Sequence, residues 1–136
     1  MITAVDTNIL LDILLPNEKF YVASAEALQE SASGSLVMCD IAYAELCVHF
    51  ESQPECDSFL ESIGIQVQPL TPAAHFLASR AWRVYRRQGG RRAKILADFL
   101  IGDHAVKQAT RLLSRDRGFY RSLFPSLTVY DPSVGS

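Results

Sequence analysis

Four acidic residues stand where carboxylate chemistry is possible. Asp6 follows the β-favouring run ITAV and Asp116 follows RLLS. In a parallel sheet both would lie at the carboxyl edge of the strands, where open α/β sheets bind ligands. Each also has an ordinary alternative: Asp6 or Thr7 capping a helix that starts near Asn8, and Asp116 as a turn residue in SRDRGF. In DIAYAELCVHF, Glu45 shares a helical face with Ile41, Ala42, Val48 and His49. In KILADFLIGDHAV, Asp98 shares one with Lys94, Ile95, Ile101, Gly102 and Ala105. A surface glutamate and an Asp98–Lys94 pair are the competing readings. A carboxylate on a buried face is costly unless it is paired, protonated or bound to a cation.

Gathering the four would require a cation. Two unit charges about 5 Å apart repel by roughly 3 kcal/mol at an effective dielectric of ~20. Carboxylate and water ligands suit Mg²⁺ or Mn²⁺, and the chain offers no Cys/His set with zinc spacing. Such an ion activates water and neutralises charge developing on a phosphoryl group. The charge distribution agrees with a phosphate-bearing substrate. The net charge is −2, yet residues 80–121 hold twelve of the thirteen Lys and Arg and only three acids, a local charge of +9. AWRVYRRQGGRRAKILAD supplies Arg83, Arg86, Arg87, Arg91, Arg92 and Lys94 ahead of Asp98. Cations in such a loop would position the phosphates of a nucleic acid without reading sequence; a solvated helix face is the alternative. Trp82 and Tyr85 suit a core at helical spacing better than base stacking, and His49, His75 and His104 lack ligand spacing and suit structural roles.

The elements that must position these groups alternate between short β-type runs and longer helical stretches, which predicts an α/β fold with a mainly parallel sheet. Strands are expected at 2–5, 35–39, 65–68, 111–114 and 127–130, and helices at 8–15, 18–32, 41–52, 54–62, 72–88 and 94–108, with Gly34, Pro54, Gly64, Pro72, Gly89-Gly90 and Pro125 as punctuation. The 136 residues read as one domain, 1–136, with 49% hydrophobic and 21% charged residues, an ordinary globular composition. No apolar run approaches the ~18 residues of a membrane span, and Asp6 and Asp12 break the N-terminal stretch as a signal peptide would not. Cys39, Cys47 and Cys56 read as buried free thiols of a reducing cytoplasm. The first helix carries Ile9, Leu10, Leu11, Ile13, Leu14 and Leu15, a set expected to enter the core.

VDTNILLDIL, Glu45 in a helix after the second strand, ILADFLIGDHA and LLSRDRGFYRSLFPSLTVYDP, in this order and spacing, resemble the PIN-domain family in its VapC toxin form from residue 2 to about 132. The resemblance implies a three-layer α/β/α sandwich and a metal-dependent endoribonuclease. It places Asp6, Glu45, Asp98 and Asp116 on the family's acidic, Mg²⁺- or Mn²⁺-binding positions. Asn8 and Ser114 fall on polar positions that hold those acids. It further implies an antitoxin partner lying across the active-site groove, and commonly a homodimer. Asp103 departs from the pattern, which usually carries a small residue there. Five residues beyond Asp98 is roughly 140° around a helix, so Asp103 is expected to point away from the cluster's centre and stands outside the primary set as an extra acid. A non-catalytic RNA-binding module is the rival reading. A haloacid-dehalogenase-type phosphatase would want a second Asp where this chain has Asn8.

Overall fold

A computed structural model describes residues 1–89 and 96–134. In chain order the elements are β1 (Ile2–Val5), α1 (Thr7–Leu14), α2 (Tyr21–Ser31), β2 (Ser35–Cys39), α3 (Asp40–Cys47), α4 (Gln53–Ile63), β3 (Ile65–Gln68), α5 (Pro72–Arg87), α6 (Leu96–Gln108), β4 (Arg111–Leu113), α7 (Arg117–Leu123) and β5 (Val129–Tyr130). The five strands form one sheet in the order β3-β2-β1-β4-β5, and every pairing is parallel. Helices flank the sheet. Two helical crossovers lead outward from β1 to β2 and β3. The third, α5–α6, crosses back to β4, and right-handed connections put it on the opposite face.

Parallel strands covered on both faces must be apolar throughout. Accordingly Ala4 and Val5, then Leu36 to Cys39, and Leu112 and Leu113, are buried without alternation. The predicted breaks at Gly64 and Pro72 operate as expected, and Gly90 lies outside the described residues. Ser52 accepts the Glu55 N–H at the start of α4, and Gly64 ends that helix at φ 86°, a left-handed conformation that glycine adopts without steric cost. Thr71 accepts the Ala74 N–H ahead of α5, with Pro72 in its first turn. None of the described helices is long and apolar enough to cross a membrane.

Three expectations shift. A helix stands at Arg117–Leu123, where none was expected. The helix predicted over 41–52 stops at Cys47; the His49 and Phe50 N–H groups take the shorter bonds to Leu46 and Cys47 carbonyls before Ser52 starts the next helix. The first helix is less buried than its leucines suggested. Ile9 and Leu10 are buried, Leu15 just past its end is exposed, and the same helix buries the polar residues Thr7 and Asp12.

Candidate active site

β1 runs into Asp6, whose N–H donates to the Leu113 carbonyl at 2.9 Å, so β1 and β4 end level. The chain turns at once into α1, and the Asp6 carboxylate accepts the Thr7 N–H at 2.7 Å. The two readings of Asp6 therefore hold together: it caps a helix and it stands at the carboxyl edge of the sheet. Ser114, just past β4, donates to Asp6 Oδ2 at 2.7 Å, and Tyr120 Oη on α7 does so at 3.2 Å. Asn8 Nδ2 lies 3.4 Å from both Asp6 Oδ2 and Ser114 Oγ, while its own Oδ1 accepts the Arg115 N–H at 3.2 Å. The Asp116 N–H donates to Ser114 Oγ at 3.0 Å, which ties the loop after β4 to the same hydroxyl.

Glu45 comes from α3. Thr7 Oγ1 donates to Glu45 Oε1 at 3.0 Å, so one residue joins the helix after β1 to the helix after β2. Asp6, Glu45, Asp98 and Asp116 line one cleft of about 440 Å³, together with Thr7, Asn8, Leu11, Val48 and His49. The sequence had no reason to single out Thr7 for Glu45 or Tyr120 for Asp6. Both contacts are made across elements, and only the adjacency of Thr7 to Asp6 hinted at either. His49, expected in an ordinary structural role, is part of the cleft wall.

The carboxylates carry the cost of this arrangement. Burial pushes Asp6 up to about 6, against the hydrogen bonds from Ser114, Thr7 and Tyr120, and Glu45 raises it further. Glu45 is raised chiefly by burial and also by the charge of Asp98, with the Thr7 bond opposing. Tyr120 stays a phenol, because burial and then the charge of Asp6 hold it well above its ordinary value. Among the described residues, the hydrogen-bond donors that reach Asp6 and Glu45 are all neutral. Among the described residues, no three Asp, Glu, His or Cys side chains converge closely enough to hold an ion by themselves. The donor set is all oxygen and open to water, which matches the way Mg²⁺ is usually held, by one or two carboxylates and several waters.

The other sequence candidates separate. Asp103 is buried, raised by that burial, and its Oδ2 has no hydrogen-bond partner among the described residues; it does not line the cleft. Arg86 and Arg87 are exposed at the end of α5, whereas Arg91, Arg92 and Lys94 lie outside the described residues. Two cations of the basic segment are committed to the fold. Arg111 binds Thr3 Oγ1 and Ser31 Oγ, and Arg115 pairs with Asp12. Tyr85 packs with its ring centroid 5.3 Å from that of Phe99, in keeping with a core role. The space beside Gly102 is taken by the Phe124 ring, which a Cβ there would meet at 2.5 Å, so this glycine serves packing and not ligand approach.

The family model of the PIN domain matches residues 3–122. The chain belongs to the PIN domain family. No curated relative matches the sequence. Among solved structures, VapBC-1 from nontypeable Haemophilus influenzae is 19% identical with a TM-score of 0.72, over 98% of this chain and 100% of that one. VapBC2 from Rickettsia felis, bound to a DNA fragment from their promoter, is 20% identical with a TM-score of 0.70, over 96% and 98%. A toxin–antitoxin complex from Klebsiella pneumoniae is 17% identical with a TM-score of 0.64, over 96% and 97%. This PIN domain shares the whole of their fold.

Proposed function

We propose that this PIN domain is a Mg²⁺- or Mn²⁺-dependent endoribonuclease of the VapC type, the toxin of a toxin–antitoxin pair. The observation that carries the reading is the buried Asp6 carboxylate, held by neutral donors and raised to about 6 beside a second carboxylate in an open cleft. Such a group is stabilised by a cation from outside. Asp6, Glu45, Asp98 and Asp116 are the residues that would hold it, directly or through water. When bound, the ion lowers the pKa of coordinated water and neutralises charge on the scissile phosphate. Ser114, Asn8 and Tyr120 keep Asp6 in place, and Thr7 fixes one oxygen of Glu45. The second Glu45 oxygen takes the proton of the attacking water. Arg86 and Arg87, with Arg91, Arg92 and Lys94, hold backbone phosphates of the RNA. The fold shared with a toxin–antitoxin complex supports an antitoxin as partner, and a homodimer belongs to the same reading.

Purified protein is expected to cleave structured RNA with Mg²⁺ or Mn²⁺ and to stop in EDTA. Asp6→Asn should lose about a thousandfold in rate, ~4 kcal/mol of transition-state stabilisation. Cleavage that persists in chelator and in Asp6→Asn overturns the metal mechanism. RNA binding without cleavage by the wild type leaves an RNA-binding module instead.

A further inference from the structure

Away from the carboxylates, two of the three thiols meet. Cys47 at the end of α3 and Cys56 in the first turns of α4 have their sulfurs 3.9 Å apart, in van der Waals contact, and neither is in a disulfide. The same two helices are linked beside them by Tyr43 Oη, which donates to Asp57 Oδ1 at 2.6 Å. The thiols differ in access. Cys56 is fully buried, whereas Cys47 is partly exposed and lines a depression of about 330 Å³ with Tyr43, Phe50, Glu51, Ser52 and Gln53. Cys39, 1% exposed, accepts the Ile41 N–H and lines no such opening.

We propose that Cys47 and Cys56 form an oxidisable dithiol, a modification site at which a hydroperoxide joins α3 to α4 through a disulfide. The Cys47 thiolate attacks one peroxide oxygen; the O–O bond breaks, the departing oxygen leaves as water, and Cys47 becomes a sulfenic acid. The Cys56 sulfur then attacks the Cys47 sulfur and displaces the hydroxyl, which leaves as water with the Cys56 proton. Two thiols lose two electrons in total and one hydrogen peroxide becomes two waters. Burial pushes Cys56 up to about 11, which suits the shielded resolving partner and leaves first contact with the oxidant to Cys47. The new bond would close the 47–56 segment, whose Val48 and His49 line the carboxylate cleft. The chemistry of the dithiol stands apart from the nuclease reading, because its readout is covalent.

The sequence makes the test direct. Cleavage after glutamate releases Cys47 in LCVHFE, Cys56 in CDSFLE and Cys39 in SASGSLVMCDIAYAE. Folded full-length protein treated with stoichiometric hydrogen peroxide, then unfolded and titrated, should fall from three free thiols to one. Its digest should contain LCVHFE joined to CDSFLE, and dithiothreitol should restore both peptides. Cys39→Ala should behave as the wild type, Cys47→Ser should form no link, and Cys56→Ala should leave a Cys47 sulfenic acid that dimedone traps. Oxidation of Cys47 to the sulfinic acid with Cys56 still reduced, links between chains, or loss of Cys39 at the same rate would each overturn the proposal.

Discussion

Asp6 and Asp12 lie on one short stretch of chain and are comparably buried, at 6% and 2% exposure, yet the protein treats them differently. Asp12 meets a fixed cation. Arg115 Nε and Nη2 reach its two oxygens at 2.8 and 2.9 Å, Ser24 Oγ adds a bond at 2.7 Å, and the guanidinium is backed by the Phe20 ring at 4.0 Å. From the described residues Asp6 receives hydroxyl, amide and backbone donors, none of them charged, and has Glu45 for a neighbour. A buried carboxylate can thus be neutralised within this fold where it serves the fold alone. At Asp6 the described residues supply position but no counter-charge, which is the place of the proposed cation.

The largest effect on stability should come from spoiling the completed pair. Arg115→Met leaves Asp12 buried and unpaired and should cost about 3 kcal/mol, the low end for a broken buried pair because Arg115 is partly exposed. The loss should be the same in EDTA and in Mg²⁺. A melting temperature within error of the wild type would show that the pair contributes nothing.

Glu45→Gln should act in the opposite sense. The folded-state pKa of Glu45 is raised above its ordinary 4.5 by burial first and by Asp98 second. Its contribution is therefore fully present below pH 4.5 and lost as pH rises through the folded value. In EDTA at neutral pH the amide should raise the melting temperature. With Mg²⁺ the order should reverse, since the wild type gains roughly 2.7 kcal/mol at a hundredfold excess over Kd and the variant gains less. Denaturation curves with chelator and with titrated metal check both halves; a variant less stable in both buffers would remove Glu45 from any cation site.

Tyr120→Phe takes one neutral donor from Asp6 and should cost about 1 kcal/mol. It should also move the Asp6 titration further above about 6, since that hydrogen bond lowers it. Carboxyl NMR titration reads this, and a shift downward would contradict the assigned donor role. The smallest effect is expected at the exposed Arg86 and Arg87. Their replacement by Gln should leave melting unchanged and reduce the salt slope of single-stranded RNA binding by roughly 0.7 for each phosphate no longer neutralised. An unchanged slope would place the RNA elsewhere.

What could be read in advance was whatever is written in local pattern. Runs such as SLVMC and IQVQ are bounded by turn residues and buried or half-buried for most of their length, so β2 and β3 lie where they were expected, at Ser35–Cys39 and Ile65–Gln68. The seven-residue α7 was missed because RDRG has the composition of a turn, and its helicity comes from Phe119 and Tyr120 packing into the aromatic cluster with Phe99 and Phe124. Within the cleft, Asp6 and Asp116 were legible from strand ends and Glu45 and Asp98 from helix faces. The Thr7–Glu45 and Tyr120–Asp6 contacts were not, because they join residues far apart in the chain and no periodicity encodes such a meeting. The Asp12–Arg115 pair was hidden for the same reason, and with it the fact that part of the basic segment is spent inside the fold.

The strand order also governs when the site can exist. β1 is the first strand to be synthesised and the central one in the sheet, yet its partner on one side is β4, and Asp6 is gripped by Ser114 and Tyr120. A nascent chain emerges N-terminus first at about 5–20 residues per second, so Asp6 waits on the order of ten seconds for the residues that hold it. Through that interval β1 and β2 can pair, but the pocket around Asp6 has no floor. Chains that have reached Tyr120 can assemble it, and a fragment that ends before residue 111 carries Asp6, Glu45 and Asp98 without Ser114 and Tyr120 to hold the first of them.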